Sequence, residues 1–127
     1  MSDILLLLVE DEPLQLMELQ ESLKEAGYLA LTAPTGAKAL ELLNADATRF
    51  SGVITDIRLG TGPNGWDVGH RARELVPNMP VVYVSGDSKS EWASQGVPNS
   101  VLIEKPFAMA QIITAISHLI NASQQPL

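Results

Sequence analysis

Apolar and polar residues alternate along the chain in blocks. Ile4-Leu5-Leu6-Leu7-Leu8-Val9 is an unbroken apolar run that stops at Glu10, Asp11 and Glu12. Such runs suit strands buried on both faces, as in parallel sheets. Pro13 stands where a helix can start, because proline is tolerated in a first turn. Leu16, Leu19, Leu23 and Ala26 then recur along one helical face, and Gly27 marks its stop. Tyr28–Ala33 reads as a second strand, and Ala37, Leu40 and Leu43 mark a short second helix. Gly52-Val53-Ile54-Thr55 is a third strand ending at Asp56. A loop rich in glycine and proline, residues 60–65, leads into a helix carrying Val68, Ala72 and Leu75. Pro80 introduces a fourth strand, 81–84, and residues 87–95 predict a short polar helix with Trp92 and Ala93 on its weak apolar side. Val101-Leu102-Ile103 is a fifth strand, and Met109, Ile112, Ile113, Ile116 and Ile120 define a last helix. Residues 123–127 read as a frayed tail.

Repeated strand–helix units imply an α/β fold: a (βα)5, doubly wound, five-stranded parallel sheet with helices on both faces. Length and the absence of any linker give one domain, residues 1–122, and the tail 123–127. A hydrophobic share of 46% fits a packed core rather than disorder. The net charge of −7 argues against direct nucleic-acid binding and suits protein or cation partners. Without cysteine there is neither a disulfide framework nor a thiol nucleophile, which favours a cytoplasmic setting. The six apolar residues Ile4–Val9 fall far short of the ~20 needed to span a membrane.

In a parallel sheet every strand's C-terminal end lies on one edge, where ligands of open α/β sheets bind. Glu10 and Asp11 follow the first strand, Asp56 ends the third, Ser85 follows the fourth and Lys105 the fifth. With strand order 2-1-3-4-5 the first and third strands are neighbours, so Asp11 and Asp56 face each other. Two unit charges about 4 Å apart repel by about 4 kcal/mol at an effective dielectric of about 20. A hard cation such as Mg²⁺ answers that repulsion, and Lys105 adds a further positive charge. Acids, a divalent ion, a lysine and a hydroxyl can together hold a phosphoryl group in transfer to Asp56. Asp11 is also a candidate N-cap for the helix opened by Pro13. His70 and His118 read as exposed helix residues without ligand spacing.

Four short stretches, in order and each at a strand's end, carry a resemblance. They are Glu10-Asp11, Ile54-Thr55-Asp56, Val84-Ser85-Gly86 and Lys105-Pro106-Phe107. Over essentially its whole length the chain resembles the receiver domain of two-component response regulators, a CheY-like, flavodoxin-like fold. The resemblance implies Mg²⁺ held by Asp11, Asp56 and the backbone carbonyl of Arg58, with Glu10 acting mostly through water. It implies phosphotransfer onto Asp56 from a histidine kinase or phosphotransfer protein, with Ser85 and Lys105 engaging the new group. It also implies a cis Lys105–Pro106 bond, and a downstream protein partner on the face made by helix 4, strand 5 and helix 5. The chain is expected to be a monomer or weak dimer and no enzyme beyond its own phosphoryl chemistry.

Three departures from the family pattern stand out. Leu102 occupies the position, three before the lysine, where the family usually has Tyr or Phe; Trp92, on the neighbouring fourth helix, is a candidate substitute. The loop Leu59-Gly60-Thr61-Gly62-Pro63-Asn64-Gly65 displaces the usual proline and is about one residue longer. The stretch Ser94-Gln95-Gly96-Val97-Pro98-Asn99 replaces the usual turn before strand 5. Arg58 and Asp87, two residues after Asp56 and Ser85, occupy positions that tune phosphate loss in the family.

These departures support an alternative, a degenerate receiver that docks partners without phosphorylation. A haloacid-dehalogenase-like phosphatase would want a second Asp where Arg58 stands. A flavodoxin-like cofactor site is disfavoured because Glu10-Asp11-Glu12 would repel phosphate.

Overall fold

A computed structural model describes residues 4–124; positions 1–3 of the expected domain and 125–127 of the expected tail lie outside the described residues. Five parallel strands form one sheet in the order β2-β1-β3-β4-β5. They are β1 (Ile4–Val9), β2 (Tyr28–Ala33), β3 (Gly52–Asp56), β4 (Val81–Ser85) and β5 (Val101–Glu104). The helices are α1 (Pro13–Glu25), α2 (Gly36–Asp46), α3 (Gly65–Leu75), α4 (Trp92–Gln95) and α5 (Met109–Ser123). The α/β doubly wound architecture read from the sequence is the one observed.

The apolar run of β1 explains the layering. Leu6 and Leu8 face one side of the sheet with Ile54, Val82 and Val84, beneath Leu19 and Leu23 of α1 and Ile112, Ile116 and Ile120 of α5. Leu7 and Val9 face the other side with Val53, Val81 and Tyr83, beneath Ala39 and Leu43 of α2 and Val68 and Ala72 of α3. Successive strand side chains point to opposite faces, so a strand roofed on both sides needs apolar residues at every position. That is why β1 and β4 show no alternation.

Some local expectations are corrected. The apolar face of α2 is Gly36, Ala39 and Leu43, while Ala37 is exposed. The spacing 37-40-43 and the spacing 36-39-43 both suit a helix, and only the position of the sheet distinguishes them. Ala26 is the exposed C-cap of α1, not part of its buried stripe. Within the expected tail, Ser123 is the last residue of α5 and Gln124 its C-cap. The fourth helix is a 3-10 turn, Lys89–Glu91, followed by the four residues of α4.

The corrected face of α2 is testable by urea unfolding. Leu43→Ala, which empties a buried site, is expected to cost about 2–5 kcal/mol. Ala37→Ser, on the exposed side, is expected to stay within about 0.5 kcal/mol. A reversal of that order would contradict the assigned face.

Candidate functional site

The strand ends bring four of the expected side chains to one place. One carboxylate oxygen from each of Glu10, Asp11 and Asp56 lies within 4.8 Å of the others. Lys105 Nζ donates to Asp56 Oδ2 at 2.8 Å and stands 3.9 Å from Glu10 Oε2. Asp56 Oδ1 accepts the Ile57 N–H at 2.8 Å, so the carboxylate is fixed at both oxygens. Glu10 and Asp56 are buried, and Asp11 is exposed at the mouth.

Local sequence explains the placement. Glu12, not Asp11, caps α1: its Oε1 accepts from Leu14 N at 3.3 Å and its Oε2 from Gln15 N at 2.7 Å. That leaves the Asp11 carboxylate to the cluster. Behind Asp56 the chain turns back at once, since the Gly65 N–H donates to Ile57 O at 2.8 Å. A Cβ at Gly65 would stand 2.1 Å from the Asp56 carbonyl oxygen, so α3 can begin there only with glycine. Asn64 and Asp67 close a capping box on that helix. At the other side, Lys105 N donates to Ser85 O at 2.8 Å, which ties the end of β5 to β4. The Lys105–Pro106 bond is cis.

Electrostatics follow from the crowding. Burial, then the charge of Asp56, pushes the Glu10 carboxyl up to about 7, against the opposing pull of the Glu12 N–H and Lys105. Burial alone would lower the Lys105 ammonium, but the hydrogen bond and charge of Asp56, then the charges of Glu10 and Asp11, outweigh it and raise it. One lysine therefore faces three acids. A set of oxygen donors with excess negative charge suits a hard divalent ion.

Ser85 is buried, and its Oγ accepts the N–H groups of Asp87 at 3.2 Å and Ser88 at 2.8 Å. Both bonds use the oxygen as acceptor and leave the hydroxyl proton to donate. Arg58 sends its side chain outward, where Nε donates to both carboxylate oxygens of Asp87 at 2.9 and 2.8 Å. This pair bridges the loops after β3 and β4, but both partners are exposed and the bridge itself stabilises little.

Leu102 is half-buried and lies in register opposite Tyr83 of β4. Trp92, singled out as a substitute aromatic, donates Nε1–H to Ser100 Oγ at 3.0 Å on the surface side of that layer. Tyr83 was not singled out by sequence reasoning, where it reads as one more buried strand residue. It is fully buried, and its hydroxyl accepts the Val97 N–H at 3.2 Å. A tyrosine among valines was the available signal. His118 is exposed as expected, while His70, also exposed, bonds Gln95 O through Nε2 at 2.6 Å.

Strand order and helix layering define the class of flavodoxin-like, doubly wound α/β domains, here with three carboxylates and a lysine at the C-terminal edge of the sheet. The model of the response regulator receiver domain matches residues 6–117, and the chain belongs to that family, part of two-component signalling. A response regulator receiver protein from Sinorhizobium medicae superposes with a TM-score of 0.93 at 47% identity, over 97% of this chain and 98% of that one. A two-component response regulator of rice, Oryza sativa subsp. indica, is 28% identical over 120 residues, which is 91% of this chain and 17% of the regulator's length. The chain thus spans about a sixth of that relative. The receiver domain of the sensor histidine kinase PA1611 from Pseudomonas aeruginosa shares the fold at a TM-score of 0.80 and 19% identity, over 94% of this chain and 99% of that one. That crystal structure has a magnesium ion coordinated in the active-site cleft. Among the described residues no helix is long and apolar enough to cross a membrane.

The Glu10 shift sets a pH dependence. Its carboxyl is raised from 4.5 to about 7 on folding, so between those values the folded chain holds a proton that the unfolded chain has lost. Stability from this group is fully present below about 4.5 and is lost as pH rises through about 7. Urea unfolding in a chelator is expected to show that decline, and Glu10→Gln is expected to flatten it. An unchanged slope in the variant would contradict the assignment to Glu10.

Proposed function

We propose that Asp56 accepts a phosphoryl group from a histidine kinase or phosphotransfer protein, and that the domain then alters its surface for a downstream protein. The observation that carries this reading is the position of Asp56, the carboxylate of the acidic cluster that Lys105 hydrogen-bonds. Asp56 supplies an oxygen to phosphorus while the bond from phosphorus to the donor's leaving group breaks, and the product is an acyl phosphate. Lys105, already 2.8 Å from Asp56 Oδ2, neutralises charge on the phosphoryl oxygens. Ser85 turns its hydroxyl from the 87–88 amides to donate to the new group.

The donor set fits Mg²⁺, with Asp11, Asp56 and the Arg58 carbonyl as the residues that would hold it and Glu10 acting through water. A bound Mg²⁺ supplies the positive charge that lets the acids and a phosphate share one corner. The receiver unit is residues 1–122, working in the cytoplasm as a monomer or weak dimer. The downstream partner meets the α4–β5–α5 face, and no direct nucleic-acid contact is involved.

Leu102 and the four-residue α4 favour a second reading, a docking module that keeps the fold and not the chemistry. Acetyl phosphate with Mg²⁺, followed by intact mass, separates the two. The unaltered chain is expected to gain the mass of one phosphoryl group and Asp56→Asn none. No gain in the unaltered chain, or an equal gain in the variant, would sink the phosphoacceptor reading. Silence of the amides near Asp56 on Mg²⁺ titration would then favour docking.

A further inference from the structure

The segment between α4 and β5 has no ladder or helix to hold it, yet each residue from Gly96 to Asn99 has a backbone group hydrogen-bonded. Gln95 O accepts from His70 Nε2 at 2.6 Å, and Gly96 N donates to Trp92 O at 2.9 Å. Val97 N donates to the Tyr83 hydroxyl at 3.2 Å, and Val97 O accepts from Ser100 Oγ at 2.6 Å. Pro98 O and Asn99 O both accept from the Arg73 guanidinium, whose Nε also holds Met79 O at 2.6 Å. Asn99 takes φ +60°, a left-handed conformation that Asn tolerates better than most residues. Three of these fasteners, His70, Arg73 and Tyr83, come from α3 and β4.

Tyr83 is the one that reaches into the sheet. It lies two residues before Ser85 on the same strand, so both side chains point to the same face. Its ring packs edge-on against Trp66, with centroids 4.8 Å apart. The hydroxyl fits only because residue 69 of α3 is glycine, where a Cβ would stand 2.1 Å from it. At the other end of the same excursion, Ser85 Oγ holds the amides of Asp87 and Ser88. The chain from 86 to 100 is therefore tied to β4 twice, at Ser85 and at Tyr83.

We propose that the Tyr83–Val97 hydrogen bond, seated in the space left by Gly69, couples the state of the Ser85 pocket to segment 95–100, which is the surface that responds. This inference rests on the phosphoacceptor reading. When Ser85 turns to face a phosphoryl group, the end of β4 shifts with it. Tyr83, two residues earlier on the same strand, then carries Val97 and the residues after it through the hydroxyl to which the Val97 N–H donates. Tyr83 acts here as a positioning residue; it touches neither metal nor phosphate.

The test uses Mg²⁺ with beryllofluoride, which stands in for the phosphoryl group on a carboxylate, and follows amide NMR signals. In the unaltered chain, signals near Asp56 and Ser85 and those of Val97, Asn99 and Ser100 are all expected to shift. In Tyr83→Phe the shifts near Asp56 are expected to remain and those of 97–100 to be lost. The free Val97 amide in this variant is expected to exchange about tenfold faster, the worth of one net hydrogen bond. Ser100→Ala, which frees Val97 O without touching β4, is expected to keep the 97–100 response. No response near Asp56 in the unaltered chain would overturn the phosphoacceptor reading and this inference with it. A response near Asp56 with 97–100 silent, or equal in Tyr83→Phe, would overturn the coupling alone. Should Tyr83→Phe fail to fold, Val97 exchange in the unaltered chain decides: a several-fold change on adding beryllofluoride supports the coupling, and no change overturns it.

Discussion

Three carboxylates converge at the ends of β1 and β3, and without a counter-charge they would push those strand ends apart. Lys105 holds them, 2.8 Å from Asp56 and 3.9 Å from Glu10. Because Asp56 is buried, removing the ammonium would leave an uncompensated buried charge, a far larger penalty than the bridge's own net worth. The lysine can reach because its backbone N–H is fixed to Ser85 O, which sets the end of β5 against β4. One lysine, through its ammonium and its backbone N–H, thus links the ends of the first, third, fourth and fifth strands. Three acids still face that one lysine, and burial, then the charge of Asp56, raises the Glu10 carboxyl. The site is stable enough to form and unbalanced enough to want a cation.

Much of this was legible in the amino-acid order. Leu6 to Val9 can be apolar at every position only in a strand covered on both faces, and that requires helices on both sides of a parallel sheet. Once the sheet is parallel, residues following each strand must share an edge, whatever their separation in sequence. Glu10, Asp11, Asp56 and Lys105 therefore come together by topology alone. What failed were choices between equivalents. Asp11 and Glu12 can each cap a helix, and the longer side chain of Glu12 was the one that reached back to Leu14 and Gln15. On α2, two faces have the same periodicity, and the sheet selected the one with Ala39.

Segment 95–100 was not legible, for a different reason. Three of its fasteners, His70, Arg73 and Tyr83, lie 14 to 26 residues away in sequence. Each of these is a side chain meeting a backbone group, and backbone groups carry no residue code. Gly69 in mid-helix was a faint sign, since glycine there weakens the helix by about 1 kcal/mol relative to alanine and asks for a packing reason. That reason is the Tyr83 hydroxyl.

The same view changes the meaning of Leu102. Judged by position in the chain, it is a missing aromatic on β5. Judged in the sheet, it lies beside Tyr83 on β4, in register, with both in one apolar layer that Trp92 also joins. Leu102 is half-buried at the margin of that layer, whereas Tyr83 is fully buried with its ring against Trp66. The aromatic group has not vanished from this layer. It stands one strand nearer the centre of the sheet, on the strand that carries Ser85, with its polar end on the backbone of the segment beyond α4.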